Sequence, residues 1–487
     1  MKIAMLIPDG VGVRNFVLGR FLRLLEPDTD VEVFHTIPEA ILPKVRSGLP
    51  DRIHWQEMLP YRPNRFVLTL QYSLSYAQMY WADTVSMRRI RNASVSGSWR
   101  TRLMHKIAKF GGKRCASPGR MRALEKVHLA AVNRLPEVRQ YEQLFTKARP
   151  SILFCSHQRP SLVLPAVLAA RRLGIPTSTF IFSWDNLTSK GRIVSPFDHY
   201  FVWSRHMASE LRRYYPDITD DRIHVVGTPQ FEPYSDSNLL WSREEFFGRI
   251  GADPNRPLIC YSGGDAGTCP EDQEHVRVLM ELIRSGDIKG HPQVIVRPVP
   301  VDDGKRYERV RHAFPELIYM QPKWIRESAL DDWSKVIPLP EDVEFLANLT
   351  HHVDVNVNLG STMSLDFGLH DKPVVNIAFD VANPPIFGMP VWDYYYFFEH
   401  YRPVIELGAT RPARSSAELA QHINTYLADP SLDREGRKKL VEMQVGVPLD
   451  QSGSTLLRVL RRISKTASSP ASATQRPGLP SEAVSRA

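Results

Sequence analysis

Cysteine is scarce in this chain. Four stand among 487 residues, Cys115, Cys155, Cys260 and Cys269, with no C-x-x-C spacing between them. That excludes a disulfide framework and fits a reducing, cytoplasmic setting. Long apolar runs are missing too, and none approaches the ~18 residues of a membrane span. The opening "MKIAMLI" reaches "PDGVG" without a cleavage site, so it reads as a first strand rather than a signal peptide. No H-E-x-x-H and no Cys/His cluster is present, so neither zinc nor another cofactor is expected. There is no G-x-S-x-G elbow. The one D-x-D, Asp28 to Asp30, precedes a strand and reads as a turn rather than a metal–nucleotide clamp.

Acid is absent from one long stretch. Between Asp83 and Glu125 there is no carboxylate, yet Arg88, Arg89, Arg91, Arg100, Arg102, Lys106, Lys109, Lys113, Arg114, Arg120 and Arg122 fall there, within a net charge of +9. In "WRTRLMHKIAKF" the apolar Leu103, Ile107 and Phe110 recur at helical spacing beside the cations. A basic amphipathic segment over 88–122 suits an anionic bilayer surface. A solvated helix has the same pattern. Nucleic acid is not expected as a partner, because no nucleic-acid fold signature accompanies the charge.

What is present is the composition of an ordinary globular protein, 43% apolar and 24% charged, in a chain long enough for two domains of roughly 200 residues each. The N-terminal half alternates short apolar runs with helical periods: "KIAMLIPDG", "VEVFHTIP", "PSILFCSHQRP", "STFIFSWDN", "HYFVWS" and "IHVVGTP" are strands with helices between them. A second set follows with "RPLICYSGG", "PQVIVRPVP", "VDVNVNLGS" and "PVVNIAF". This is the signature of parallel βαβ units. The expected organisation is α/β, with two tandem Rossmann-like, doubly wound domains facing a cleft. Residues 1–235 would form the first domain with a basic insertion at about 84–124, 236–256 a linker, 257–464 the second domain, and 465–487 a polar, Pro-rich disordered tail.

Ligands in such sheets bind outside the carboxyl ends of the strands. Several strand ends carry polar residues. In "DVNVNLGSTMSLDFGLHDKPVV", Gly360 allows a tight turn, Ser361 and Thr362 open a helix, and Asp366 lies one turn on. Amides and hydroxyls at a helix start suit a phosphate, and the carboxylate suits a ribose diol; a plain N-cap has the same residues. "YSGGDAG" offers Ser262, Gly263 and Gly264, where close backbone approach to phosphate, or an ordinary turn, is possible. "CSHQRPS" carries His157 and Arg159. "FSWDNLTSKG" carries Ser183, Trp184, Asp185, Asn186 and Lys190, either as a site or as a capped turn. In "WDYYYFFEHY", Glu399 and His400 belong to a segment that reads first as interdomain packing.

The segment ending in "DKPVV" resembles the nucleotide signature of GT-B glycosyltransferases, with Asp366 seven positions before Pro373. More closely, "GSTMSLDFGLHDKPVV" resembles bacterial surface-polysaccharide glycosyltransferases and the related CDP-glycerol glycerophosphotransferase-like proteins. "EDVEFLANLTHHVDV", "VVGTPQFEPY" and "VIVRPVP" agree in order and spacing, so the resemblance covers about 151–463. It implies a nucleotide-sugar donor and a glycan acceptor, lipid-linked in such enzymes, with Arg297 gripping the diphosphate. Val299 replaces the histidine of the family's R-P-H-P element. "SWDNLTSKG" replaces the H-G-T-P-L-K element that carries the base in the CDP-glycerol relatives. The resemblance therefore implies Asp185 as base, Asn186 orienting the acceptor, Lys190 supplying positive charge, Trp184 stacking on sugar and Ser183 as a further acceptor contact. His157 and Arg159, at a neighbouring strand end, would be acceptor or phosphate contacts or simply solvated. No E-x7-E occurs at the signature helix, which favours inversion, and the lack of a metal–nucleotide clamp favours metal-independent transfer. CDP-linked polyol-phosphate transfer and a silent nucleotide- or glycan-binding module remain alternatives.

Overall fold

The computed structural model describes residues 1–326, 333 and 335–467. Seven strands form the first sheet: β1 (Lys2–Ile7), β2 (Asp30–His35), β3 (Ile53–Glu57), β4 (Ile152–Cys155), β5 (Thr177–Phe180), β6 (His199–Val202) and β7 (Ile223–Val225). They pair in the order β3-β2-β1-β4-β5-β6-β7, all parallel. The second sheet uses β8 (Leu258–Ser262), β9 (Gln293–Arg297), β10 (Ile318–Tyr319), β13 (Val355–Asn358), β14 (Val374–Ile377) and β15 (Arg411–Ala413), in the order β10-β9-β8-β13-β14-β15. A small antiparallel pair, β11 (Trp324–Ile325) with β12 (Ile337–Pro338), lies between β10 and β13 in sequence. Two parallel α/β sheets in tandem, the GT-B arrangement expected above, are thus what the chain forms.

Central strands such as β1 and β4 are continuous apolar runs because helices cover both faces. Five of the six residues of β1 are buried, and it pairs with β2 and β4 on either side. In β13 the alternation Val-Asn-Val-Asn would suit a half-exposed strand, yet all four residues are buried. Asn358 Nδ2 donates to Asn356 Oδ1 (2.7 Å), Asn376 Nδ2 donates to Asn358 Oδ1 (3.0 Å), and Asn356 Nδ2 donates to Ser262 Oγ (2.7 Å). The amides satisfy one another, so burial leaves no open donor among these three.

Between β3 and β4 the chain inserts helices α1 (Arg65–Ala82), α2 (Val85–Asn92), α3 (Trp99–Arg114) and α4 (Pro118–Val132), within which the basic stretch lies. Tyr76, Met79, Met87 and Ala108 make a small core of their own there. Inside the stretch expected as a linker, helix Arg243–Ile250 buries Phe246 and Phe247 against Leu258, Phe345 and Val374 of the second half. The last described helix, Ser452–Ala467, crosses back to the first half, where Gly453 N donates to Glu232 Oε1 at 2.6 Å. Residues 465–467 of the expected tail close this helix; residues 468–487 lie outside the described residues. A single apolar core runs through both sheets.

Candidate active site at the facing sheet edges

Both sheets reverse strand order at one point, β1/β4 in the first and β8/β13 in the second. Loops leaving such neighbouring strands in opposite directions open a crevice. The segments "PDGVG", "SHQRP", "GGD" and "LGST" follow the ends of these four strands. The halves meet there. A Cβ on Gly10 would stand 1.8 Å from the Val336 carbonyl, so only glycine fits. Val11 and Phe182 of the first half pack with Val301, Trp324 and Val336 of the second.

At the first switch point Asp9 and His157 form a pair. Asp9 caps the turn Gly10–Gly12, with Oδ1 accepting from Gly12 N at 2.9 Å, and its Oδ2 lies 2.5 Å from His157 Nδ1. Phe182 stacks on the imidazole, with centroids 4.0 Å apart and planes 15° from parallel. Burial opposes ionisation of Asp9, but His157 and the Gly12 and Val11 amides outweigh it and hold the carboxyl below the usual range. An anionic Asp9 accepts from the Nδ1–H of His157 and holds the ring in place, so that Nε2 is the nitrogen left for other contacts. That Nε2 is buried and has no hydrogen bond within the protein. Asn15 Nδ2, Thr36 Oγ1 and Ser156 Oγ are likewise buried without a partner; Thr36 and Ser156 directly follow β2 and β4, and Asn15 sits in the helical turn Val13–Val17. A cavity of about 760 Å³ lies at the same sheet, lined by Pro8, Thr36, Trp55, Glu57, Pro160 to Leu162 and Lys335; neither Asp9 nor His157 lines it. Its size is that of a ligand site.

The run after β5 is a closed network. Asp185 precedes the short helix Asn186–Ser189. Its carboxylate accepts from Ser189 Oγ (2.7 Å) and Asn186 Nδ2 (3.0 Å), with Lys190 Nζ at 3.7 Å. Burial raises the Asp185 pKa, but Lys190, His400 and the Ser183 and Ser189 hydroxyls overcome this and hold it well below the usual carboxylate range. Asn186 Oδ1 accepts from Gln158 Nε2 at 2.9 Å, which ties the network to the residue after His157. Trp184 is only 3% exposed and meets His400 and Tyr401 edge to face, so its ring is packed rather than offered for sugar stacking. Arg159 is exposed at the rim. Glu399 and His400 do serve interdomain packing: Val85 N donates to Glu399 Oε1 at 2.7 Å, and His400 Nδ1 lies 3.4 Å from Thr188 Oγ1.

On the second edge, Gly360 takes φ +56° and the helix Met363–Leu369 follows. Ser361 N donates to Asn358 Oδ1 (3.0 Å) and Ser361 Oγ accepts from Met363 N (3.2 Å), while Thr362 is exposed. Asp366 is buried one turn on, and Tyr234 Oη donates to its Oδ1 at 2.5 Å. Burial pushes its carboxyl up to about 6, with the Tyr234 hydroxyl, Arg14 and Arg297 pulling the other way. Arg297 does not stand free for a diphosphate: its Nη2 meets both Asp342 oxygens at 3.0 and 2.8 Å in a buried ion pair. Asp342 also accepts from Lys323 N and Trp324 Nε1. Gly263 and Gly264 permit close approach of their own domain rather than of a ligand, since a Cβ would strike Tyr307 Oη at 2.5 Å or Cys269 Sγ at 2.4 Å. Ser262 is buried under Asn356.

Sequence reasoning named His157 and missed its partner. The signal for Asp9 is a carboxylate followed by glycine directly after a buried strand, the same pattern that drew attention to the other strand ends. Arg14 and Tyr234, which join Asp366 across the halves, had no comparable local signal.

No protein-family model matches the chain, and no curated protein matches its sequence. Solved structures do share its fold. The UDP-GlcNAc 2-epimerase of Methanocaldococcus jannaschii aligns with a TM-score of 0.51 at 12% identity, over 95% of this chain and 100% of that one. S. aureus MnaA, solved with UDP, aligns at 0.51 and 11% identity over 95% and 96%. The Neisseria meningitidis UDP-GlcNAc 2-epimerase bound to UDP-GlcNAc aligns at 0.51 and 9% identity over 95% and 100%. At these identities the likeness is one of fold.

Proposed function

We propose that this chain transfers a glycosyl residue from a nucleotide-sugar to a hydroxyl of a glycan acceptor, inverting the anomeric centre, with His157 as general base. The observation that carries the reading is the Asp9–His157 pair at the switch point, with His157 Nε2 unpartnered within the protein. The acceptor hydroxyl gives its proton to Nε2 as its oxygen attacks the anomeric carbon. The bond from that carbon to the nucleoside diphosphate breaks, and the diphosphate leaves with the electron pair. Asp9 holds the ring in position and stabilises the imidazolium that forms. The base role falls to His157 rather than Asp185 on electrostatic grounds. A carboxylate held below its ordinary range takes up a proton poorly, and both Asp185 oxygens already accept hydrogen bonds. Asp185 acts instead as the hub that positions Asn186, Gln158 and Lys190.

On the donor side, Thr362 and Arg14 face the diphosphate and Asp366 the ribose, the contact implied by the "DKPVV" resemblance. The same resemblance supplies the acceptor class, a lipid-linked surface glycan. A second reading keeps the pair but changes the donor: a histidine base serves equally in transfer of a polyol phosphate from a CDP-linked donor.

Thermal unfolding with UDP, GDP, CDP, CMP and dTDP separates these readings. A ligand at about 100 times its Kd adds about 2.7 kcal/mol to the native state. UDP, GDP or dTDP stabilising the chain supports sugar transfer, CDP alone supports polyol-phosphate transfer, and no stabilisation leaves a module without nucleotide chemistry. With the donor identified, His157→Gln is expected to lower turnover by about 10²–10⁴-fold while keeping nucleotide stabilisation. Unchanged turnover in that variant would remove His157 as base and make Asp185→Asn the decisive substitution.

A further inference from the structure

Helix α3 buries one face and leaves large apolar side chains on the opposite one. Ala108 and Gly112 turn inward against α1. Trp99 (63% exposed), Leu103 (48%), Ile107 (54%) and Phe110 (61%) turn outward. At 3.6 residues per turn these four fall in one stripe about 80° wide. Arg102, Lys106 and Lys113 run along one edge of the stripe, and all three are exposed. On its other edge Arg114 lies over the Phe110 ring at 3.8 Å and Arg100 over Trp99 at 5.4 Å. No carboxylate occurs from 84 to 124 to neutralise them. Exposed apolar rows of this size mark a surface that meets something.

We infer that this face of α3 docks on an anionic lipid bilayer. The charge pattern selects that occupant. A second copy would set two basic faces against each other. A nucleic acid would satisfy the cations but leave four apolar side chains against phosphate. A bilayer with anionic headgroups accepts both, with the stripe below the headgroup plane and the cation heads in it. Among the described residues no helix is long and apolar enough to cross a membrane, so the contact is with the surface.

The docking face is fastened to the candidate site. Helix α3 packs on α1, where Gln78 Oε1 accepts from Arg192 at 3.2 Å. In α2, Ser86 Oγ donates to the Thr188 carbonyl at 2.7 Å, on the segment carrying Asp185. Docking therefore holds the acceptor side of the cleft against the bilayer. For a lipid-borne acceptor, a clause that rests on the function proposed above, this is where the substrate arrives.

The test is co-sedimentation of the full chain with vesicles containing about a third phosphatidylglycerol, against pure phosphatidylcholine. The expected result is partition to the anionic vesicles only, weakened in about 0.5 M salt. A triple variant Leu103→Ser, Ile107→Ser, Phe110→Ser is expected to lose about tenfold or more in partition, as is Lys106→Glu with Lys113→Glu. All five side chains are solvent-facing, so the thermal unfolding midpoints stay at the wild-type value. Equal partition of wild type and triple variant overturns the inference. So does preference for duplex DNA over vesicles, or a dimer in light scattering that the triple variant loses while vesicles go unbound. Nucleotide stabilisation, measured on the same samples, reports on the transfer reading separately.

Discussion

Asp9 and Glu232 are buried carboxylates and Asp185 is a half-buried one, and their neighbours drive them in opposite directions. Asp9 and Asp185 each face a base and several donors, and both stay ionised. Glu232 accepts from Gly453 N at 2.6 Å on Oε1 and has no partner on Oε2, and its charged neighbours Arg20 and Asp450 act on it in opposite senses. Burial pushes it from an ordinary 4.5 up to about 7, against the Gly453 and Arg20 amides. In the unfolded chain Glu232 ionises near 4.5, while the folded protein holds the proton until about 7. The stabilisation this gives is fully present below 4.5 and is lost as pH rises through 7, by up to about 3 kcal/mol. Glu232→Gln has nothing to ionise and can still accept from Gly453. Its unfolding midpoint is expected to match wild type near pH 4.5 and to exceed it at pH 8; equal midpoints at both pH values would refute the account. None of this polarity could be read from "PQFEPY", where the glutamate looks like a surface residue. His157 was legible because a strand end exposes it to attention. Its orienting Asp9 lies 148 positions away, and the pairing depends on β1 and β4 being neighbours.

At the level of elements, capping and pairing explain what the sequence pattern could and could not deliver. The helical spacing in "WRTRLMHKIAKF" does form a helix, capped by Ser98, whose Oγ accepts from Thr101 N. Strands β3, β10 and β15 were not legible. They are edge or near-edge strands of two to five residues, polar at several positions, and they exist because a neighbour offers a free edge. Helix α2 shows how a cap does two tasks. Thr84 Oγ1 accepts from Met87 N at 3.1 Å to close the helix start, and donates to the Thr188 carbonyl at 2.6 Å. Thr84→Ala removes both while Ser86 keeps its own bond to Thr188. The expected cost is about 1–2 kcal/mol, measured by the denaturant midpoint, with Thr84→Ser recovering most of it. A loss below about 0.3 kcal/mol would mean that the insertion does not depend on this contact.

For the whole molecule, the strongest departure from a simple tandem of two domains is the return of helix Ser452–Ala467 to the first half. Its amphipathic pattern announces a buried face but not which sheet receives it, since both halves have helices of the same kind. Leu456, Leu460 and Ile463 enter the shared core, and Arg461 reaches Glu26 and Asp28 at 2.6 Å. Exposed ion pairs of that sort add little. The three apolar side chains, at about 2 kcal/mol each, are worth on the order of 5 kcal/mol, comparable with the lower end of a domain's total stability. Removing residues 452–487 is therefore expected to unfold the first half, although every residue of its sheet remains. Hydrogen exchange distinguishes this from general damage: amides of β1 and β4 should lose protection, since the helix packs on β4, while those of β8 and β13 keep theirs. If all four strands kept their protection, the returning helix would be an ornament of the first half rather than part of its core. If all four lost it, the continuous core would be acting as one cooperative unit, and the two sheets would not be separable in folding.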